Sequence, residues 1–553
     1  ATSLWFPRPL ASPLKPPHHT RLFAKTALHR FWKTNSIMLC GFLTALALLP
    51  VSTLSFRNPR TTSAPRIETF LRSIKQPLDL VLPYEDDAQK SREGVVHYRV
   101  LPGYFPKGMS YHFDGLATVM KVEFVNGSFL HVTSKIFESA AGKSFESCDF
   151  FGTGTGPTKP LVPHICFQNP GVNLLPVGED NLWLTIDTAS WGQMNPKTLE
   201  TLPGKVDTKV QTLNAHPACD HDTNECFVQH PCDVSPLSRN ICFSRLLEAE
   251  SGSNGDLKLE TFANAKLDKI VLLQHSHSPC ITENFLVSKV DRFTFRNPLN
   301  NRSGLLKFAK QAMSNEWMVT SRPSATRKVG PAATRILRSN MSFVNNHFSN
   351  CFEDTENKRI VIDLVGVTDR YLDSYFLNEL QNPAQWGTTF TPAQRCYVPL
   401  EGDEAEVSCE KLLDGKEGEL FFDYPTFNPR WKSKSSSRYV YAIAGKPASK
   451  WFDSIIKIDS KTRSIAKTWS LKDTYVTEAS FVPRPNHEAG EDDGWLVSVI
   501  YTEGSSSSQL LFLDAKTLET VSTHDLKEII PFHAHGVSCL PTEGGKKKCF
   551  ANP

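Results

Sequence analysis

Four histidines sit in separate local settings far apart along the chain: His216 in NAHPACD, His277 in HSPCITEN, His347 in NHFSNCFE and His535 in FHAHG. A neutral imidazole offers one nitrogen lone pair and is a common ligand for first-row transition metals. Ligands spread over more than 300 residues reach one ion only if the whole fold converges on it, unlike a local zinc knuckle. A tighter group, His216, Cys219, His221, Cys226, His230 and Cys232, contains no C-x-x-C knuckle and is irregularly spaced, which argues against zinc. His533 lies two residues before His535 and faces the other way if the segment is a strand, so a neighbour is expected there and not a ligand. No Gly-rich phosphate loop or nucleophile elbow stands out, so nucleotide-dependent and serine-hydrolase chemistry find no support.

The elements that must position these side chains are short. Among 553 residues there are 35 Phe, 10 Trp and 12 Tyr with frequent Pro and Gly, which favours many brief strands over long helices. Apolar runs such as VMKVEFVNGSFLHVTS, NLWLTIDTAS, RIVIDLV, YVYAIAG and GWLVSVIYTEG alternate with turn signals. In the first of these, Asn126-Gly127 supplies the pair with φ > 0 that a tight hairpin turn requires. An echo recurs in NPKTLETL from Asn195, IDSKTRSIAKTWSL from Ile458 and LDAKTLETVSTHDL from Leu513, each placing Asp or Asn, any residue, Lys and Thr between extended segments. Diverged propeller blades produce such echoes, while a sandwich or several all-β domains stay open at this point. Residues 305–322 and 368–381 have helical spacing and are expected to be excursions over one face. No linker divides residues 68–553.

Composition narrows the partners and the compartment. The formal charge is +3, with cations interspersed among acids, so nucleic-acid binding is not expected and no protein partner is indicated. Thirteen cysteines, an odd number without a small-domain spacing, fit mostly reduced, buried thiols better than an extracellular framework, although oxidation of some pairs stays open. Sequons at Asn126, Asn301 and Asn340 are acceptors only in a chain that enters the secretory lumen. Residues 1–67 are free of acidic side chains and rich in Arg, Lys, His, Ser and Thr, the composition of a leader that is cleaved or left unfolded. The apolar stretch Ile37–Val51 is 15 residues long, short of the roughly 20 needed to span a bilayer, and fits the h-region of a signal sequence. With Met38 as the start, this reads as a bipartite plastid leader. A mitochondrial presequence is the other organellar reading, and a cytoplasmic protein follows if the leader is an artefact of the gene model.

Taken together, the four histidine frames resemble the carotenoid cleavage oxygenase family, in order and spacing, over almost the whole chain after the leader. His216 is followed by Pro217. His277 opens an H-x-x-x-I-T-E-N segment, His347 is followed by Asn350, Phe352 and Glu353, and His535 precedes Gly536. FDGLA at Phe113–Ala117, FNPRW at Phe427–Trp431, FVPRP at Phe481–Pro485 and EDDGWLVSVIY at Glu491–Tyr501 add to the likeness. Residues 68–97 match poorly, and Tyr111 and His112 stand where the family has His-Trp.

The resemblance implies an all-β, seven-bladed propeller with helical and loop excursions over the active-site face. It implies a non-haem Fe(II) held by His216, His277, His347 and His535, with O2 as co-substrate. Three carboxylates behind these rings are carried over to Asp187, Asp423 and Glu478. The family has Glu at all three, so the two aspartates predict an oxygen withdrawn by about 1 Å, with a lengthened hydrogen bond, an inserted water, or an inward backbone shift in compensation. The implied activity is scission of a conjugated carbon–carbon double bond of a carotenoid or apocarotenoid into two carbonyl products, on a protein resting on a membrane surface. Stilbene cleavage, retinyl-ester isomerisation with hydrolysis, and a non-catalytic carotenoid-binding propeller are the alternatives.

Overall fold

Antiparallel hairpins dominate because apolar residues alternate along most runs and Asn, Asp or Gly occupy the turns. The computed structural model describes residues 73–551 except 85–91, 106–110, 127, 139–168, 211, 234–238, 250–254, 268–272, 296–308, 324–333, 376–388, 403–405, 416, 418–419, 446–450, 485–489 and 543–545. The expected leader over residues 1–67 lies outside the described residues, and Pro65–Pro553 form one compact unit. The described strands form seven sheets of three to seven strands in a propeller-like arrangement. Strand Val96–Tyr104 pairs with Gly536–Pro541, with Arg99 opposite Gly536, so the two ends of the chain share one six-stranded sheet. That closure removes two open edges and ties the His535 segment to the first blade.

The three echoes are one turn used repeatedly. Asn195, Asp459 and Asp514 each accept through Oδ1 from the backbone N–H groups two and three residues ahead, at 2.8–3.2 Å. The fifth residue of each turn, Leu199, Arg463 or Leu518, has φ of 56°, 56° or 58°. Asp220 makes the same two bonds to Asp222 and Thr223, with Asn224 at φ 58°. An Asx side chain thus replaces a turn hydrogen bond, and the echo marks hairpins in different sheets.

Two expectations are corrected. Residues 309–321 are not helical: Ala309–Ala312 and Ser314–Ser321 are strands. Ser314–Ser321 lies between strands Phe285–Lys289 and Thr334–Asp354, where Trp317, Met318, Val319 and Thr320 are all buried, so a run apolar on both faces mimicked a helical period. In the second segment a single helical turn forms, Tyr371–Ser374, and residues 376–381 lie outside the described residues. The ten described cysteines are not reduced: Cys219–Cys226, Cys232–Cys242, Cys280–Cys351, Cys396–Cys409 and Cys539–Cys549 are disulfides. Three of these join residues directly opposite one another on paired strands, a register that the spacing in sequence does not announce.

The core lies between neighbouring sheets. Trp183, Trp317, Trp451 and Trp495 are fully buried. Val365, Phe422, Ala442 and Ile456 fill one such interface, where each large apolar side chain contributes roughly 1.5–3 kcal/mol by leaving water.

Candidate metal centre

The four histidines arrive from different elements. His216 immediately precedes strand Ala218–Asp220, and His277 lies between Leu273–His275 and Cys280–Ile281. His347 sits within the long strand Thr334–Asp354, whose first half pairs with Ser314–Ser321 and whose second half pairs with Arg359–Val367. His535 has φ 54° and leads into Gly536–Pro541. A Cβ on Gly536 would lie 2.8 Å from the Tyr98 carbonyl oxygen and 2.9 Å from Ser480 Oγ, so only glycine lets this segment approach the neighbouring strands.

The four rings meet. One ligand atom from each lies within 4.8 Å of every other, and His216 centres its ring 4.6, 5.0 and 4.3 Å from those of His277, His347 and His535. His216, His347 and His535 are buried, and the Nε2 atoms of His216 and His347 have no hydrogen-bond partner. Orphaned imidazole nitrogens inside a core are costly unless something binds them. Burial, and then the neighbouring imidazoles, hold His216 and His535 well below the usual histidine range, so both stay neutral with a free lone pair. The donor set therefore fits a divalent transition-metal ion.

Behind the rings stand the three carboxylates. Asp187 Oδ2 is 3.0 Å and Oδ1 3.2 Å from His277 Nδ1, Asp423 Oδ1 is 2.7 Å from His347 Nδ1, and Glu478 Oε2 is 2.8 Å from His535 Nδ1. All three contacts are direct, so the short aspartates are met by the backbone and not by an intervening water. At Asp423 the device is visible: the strand Phe421–Thr426 shifts register between Asp423 and Thr426, and Tyr424 takes φ 54°. A bulge of this kind re-aims a side chain. At His347 the Nδ1 contact with Asp423 leaves Nε2 without a hydrogen-bond partner, while Glu478 Oε2, besides lying near His535 Nδ1, accepts from the His535 backbone N–H at 2.8 Å.

Several contributors had no signal in the sequence. His216 Nδ1 lies 3.0 Å from the Asn173 side-chain amide, a neutral partner where the other rings have charged ones. Ligation through Nε2 puts the proton on Nδ1 and turns the Asn173 amide to present its oxygen. Asp423 also accepts from Tyr424 N at 2.7 Å, Asn346 Nδ2 at 2.5 Å and Tyr371 Oη at 3.1 Å. Tyr371, Tyr375 and Tyr424 form a buried hydroxyl chain, with Tyr375 and Tyr424 2.8 Å apart. Burial pushes all three phenols well above the usual tyrosine range, so they act as neutral donors. The Tyr424 ring lies 5.4 Å from His347 and 5.5 Å from His535, and Phe452, Phe532 and Trp451 continue an apolar wall.

The other candidates fall away from this centre. His533 is buried but outside the four-histidine group, with Nδ1 2.8 Å from the Pro531 carbonyl. The tighter His/Cys group has its thiols in disulfides, and His230 bonds Ser244 at 2.6 Å. His112 is buried, its Nε2 3.0 Å from the Phe532 carbonyl, and burial lowers it to about 4. A cavity of about 30 Å³ touches His216, enough for a water but not a polyene. It shares Ile281, Lys432 and Ser433 with a cavity of about 630 Å³, whose lining includes Asp220, Arg322, Arg430 and Lys548. That vestibule also carries Ile281, Trp431, Leu540 and Phe550, so its surface is mixed.

Known proteins resemble this chain in sequence and fold. The family model of the retinal pigment epithelial membrane protein matches residues 94–537, a span holding all four histidines and all three carboxylates. The chain is 24% identical over 467 residues to apocarotenoid-15,15'-oxygenase of Synechocystis, covering 79% of this chain and 89% of that one. It is also 24% identical to carotenoid cleavage dioxygenase 8 homolog A, chloroplastic, of rice, over 78% of this chain and 79% of the other. The match to the rice homolog B, at 28%, spans only 35% of this chain and 34% of that relative. Among solved structures, cobalt-substituted Synechocystis apocarotenoid oxygenase superposes with a TM-score of 0.64 at 20% identity, over 85% of this chain and 98% of the other. A chimera of that oxygenase with the retinal pigment epithelial protein gives 0.66 at 19% identity, over 86% and 99%. These likenesses show the fold, and the family match over most of its length shows that the chain belongs to the retinal pigment epithelial membrane protein family, that of the carotenoid cleavage oxygenases.

Proposed function

We propose that this protein is a non-haem iron(II) dioxygenase that cleaves a conjugated double bond of a carotenoid or apocarotenoid with O2, giving two carbonyl products. The observation that carries the reading is the convergence of four imidazoles, three of them backed by carboxylates, in a chain whose relatives are carotenoid and apocarotenoid oxygenases. A ferrous ion held by the four Nε2 atoms would supply the single-electron chemistry that lets O2 react with a polyene. The protein's own part is positional. Asp187 and Asp423 keep the protons of the His277 and His347 rings on Nδ1 and fix their planes, and Glu478 anchors the His535 backbone N–H. They also offset the charge of a dication that four neutral ligands leave uncompensated. The Tyr371–Tyr375–Tyr424 chain holds Asp423, and Tyr424 with Phe532 gives the centre an apolar side against which a polyene can lie.

Polyenes of this class dissolve in bilayers, and we place the substrate entrance at a membrane surface. No helix among the described residues is long and apolar enough to cross a membrane. The test is mass spectrometry of products after the iron-loaded chain meets a panel of carotenoids and apocarotenals under 18O2. Labelled aldehydes or ketones are expected from at least one substrate, and His277→Ala removes both iron and products while His533→Ala keeps the iron. Iron at one per chain with no turnover of any polyene would overturn the reading.

A further inference from the structure

All ten described cysteines are in disulfides, and the five bonds are distributed from Cys219 near the middle of the chain to Cys549 near its end. Four of the pairs are separated by 7 to 13 residues, while Cys280 and Cys351 join elements 71 residues apart. Ten cysteines brought to bonding distance two by two are an outcome of folding in an oxidising compartment, since the reducing poise of the cytosol keeps such thiols open. Each closure passes two electrons and two protons from a thiol pair to a disulfide oxidant, which becomes a dithiol. The apolar stretch Ile37–Val51 supplies the kind of signal that leads a chain into such a lumen.

In that compartment the sequons become substrates, and the fold treats them differently. Of the sequon that begins at Asn126, Asn126 and Ser128 lie in turn conformation between strands Leu116–Val125 and Phe129–Ile136, where Asn126 is exposed at φ 51° and its side chain makes no hydrogen bond to a described residue. Asn340-Met341-Ser342 lies inside a strand, with the Asn340 amide donating to the Cys409 carbonyl at 3.3 Å and accepting from Cys409 N at 2.9 Å. Asn301 falls outside the described residues. Beside Asn126, Val125 is 36%, Phe129 44% and Val81 64% exposed, and Pro83 pairs with Phe129 across the same sheet. Exposed apolar side chains gathered at one hairpin tip call for a cover.

We propose that this protein is a lumenal glycoprotein whose Asn126 side chain carries an N-linked oligosaccharide. The acceptor amide nitrogen bonds to C1 of a sugar delivered as a lipid-pyrophosphate-linked oligosaccharide. The C1–oxygen bond breaks, the lipid pyrophosphate leaves with the electron pair, and the amide releases one proton. The inference does not depend on the oxygenase reading.

The chain with residues 1–67 retained, made in eukaryotic cells, tests it by non-reducing peptide mass spectrometry and by the mobility shift on peptide-N-glycosidase treatment. Five disulfide-linked peptide pairs, a glycan on the Asn126 peptide and a shift on glycosidase treatment are expected. Ser128→Ala abolishes the Asn126 glycan without touching the left-handed residue, Asn126→Asp does the same with a side chain that tolerates that conformation, and Ser342→Ala leaves the Asn126 glycan in place. The proposal is overturned by an unmodified Asn126 peptide, by a glycan there that survives Ser128→Ala, or by the ten cysteines being alkylated without prior reduction.

Discussion

Asp423 and Asp187 do the same work behind neighbouring rings in different surroundings. Asp423 is fully buried, sits 2.7 Å from His347 Nδ1 and has both oxygens filled by the ring, a backbone N–H, an amide and a phenol. Asp187 is 24% exposed, shares its His277 contact between two oxygens at 3.0 and 3.2 Å, and takes a backbone bond from Ala215 at 3.2 Å. One shortened carboxylate has been built into the core by a bulge, while the other hangs from a loop that solvent reaches. The dry side of the centre should therefore be brittle and the wet side forgiving.

The largest effect expected is at the dry side. Asp423→Asn turns an acceptor of four donors into a mixed group facing His347 Nδ1–H, and should weaken iron binding by about 10- to 100-fold, read as metal retained after dialysis against a chelator. A result equal to Asp187→Asn would break the contrast. Acid acts on stability through other buried imidazoles. Burial lowers His112 to about 4 and His533 to about 3, so the native state keeps them neutral while the unfolded chain, with histidine near its ordinary value, takes up protons first. Stability is then held above pH of roughly 6.5 and lost as pH falls toward 4, by about 1.4 kcal/mol per pH unit for each histidine. Melting temperatures from pH 7.5 to 4.5 check this, and His112→Phe should flatten part of the slope.

At the wet side, Asp187→Asn should reduce iron affinity by less than about 10-fold, below the effect at Asp423, because water can take the His277 proton's bond. The smallest effect is Tyr371→Phe. It removes one of four bonds to Asp423, worth about 1.5–3 kcal/mol at a charged acceptor, and should lower stability in urea while leaving one iron per chain. Loss of the metal in that variant would show the phenol to be part of the ligand frame and not a support for it.

The four histidines were legible because each stands in a frame with its own neighbours, and Asp423 and Glu478 because FFDYP and TEASFVPRP surround them. The Asx turns at Asn195, Asp459 and Asp514 were visible as an echo, since the side chain that makes the turn is local. Asn173, Asn346 and Tyr371 were not visible, because a residue that acts across sheets leaves no trace in its own spacing. The disulfides were misread for the same reason: Cys396 and Cys409 pair through strand register, and register is settled by the fold. The segment around Trp317 was misread because a strand buried on both faces loses the alternation that identifies it.

The measurement that bears most directly on the central claim is X-ray absorption at the iron edge of the purified full chain, with metal content taken on the same sample. One iron per chain in a shell of four imidazole nitrogens, lost in His347→Ala, is the predicted result. A chain that takes up no iron under ferrous loading, or that holds it through sulfur, would contradict it.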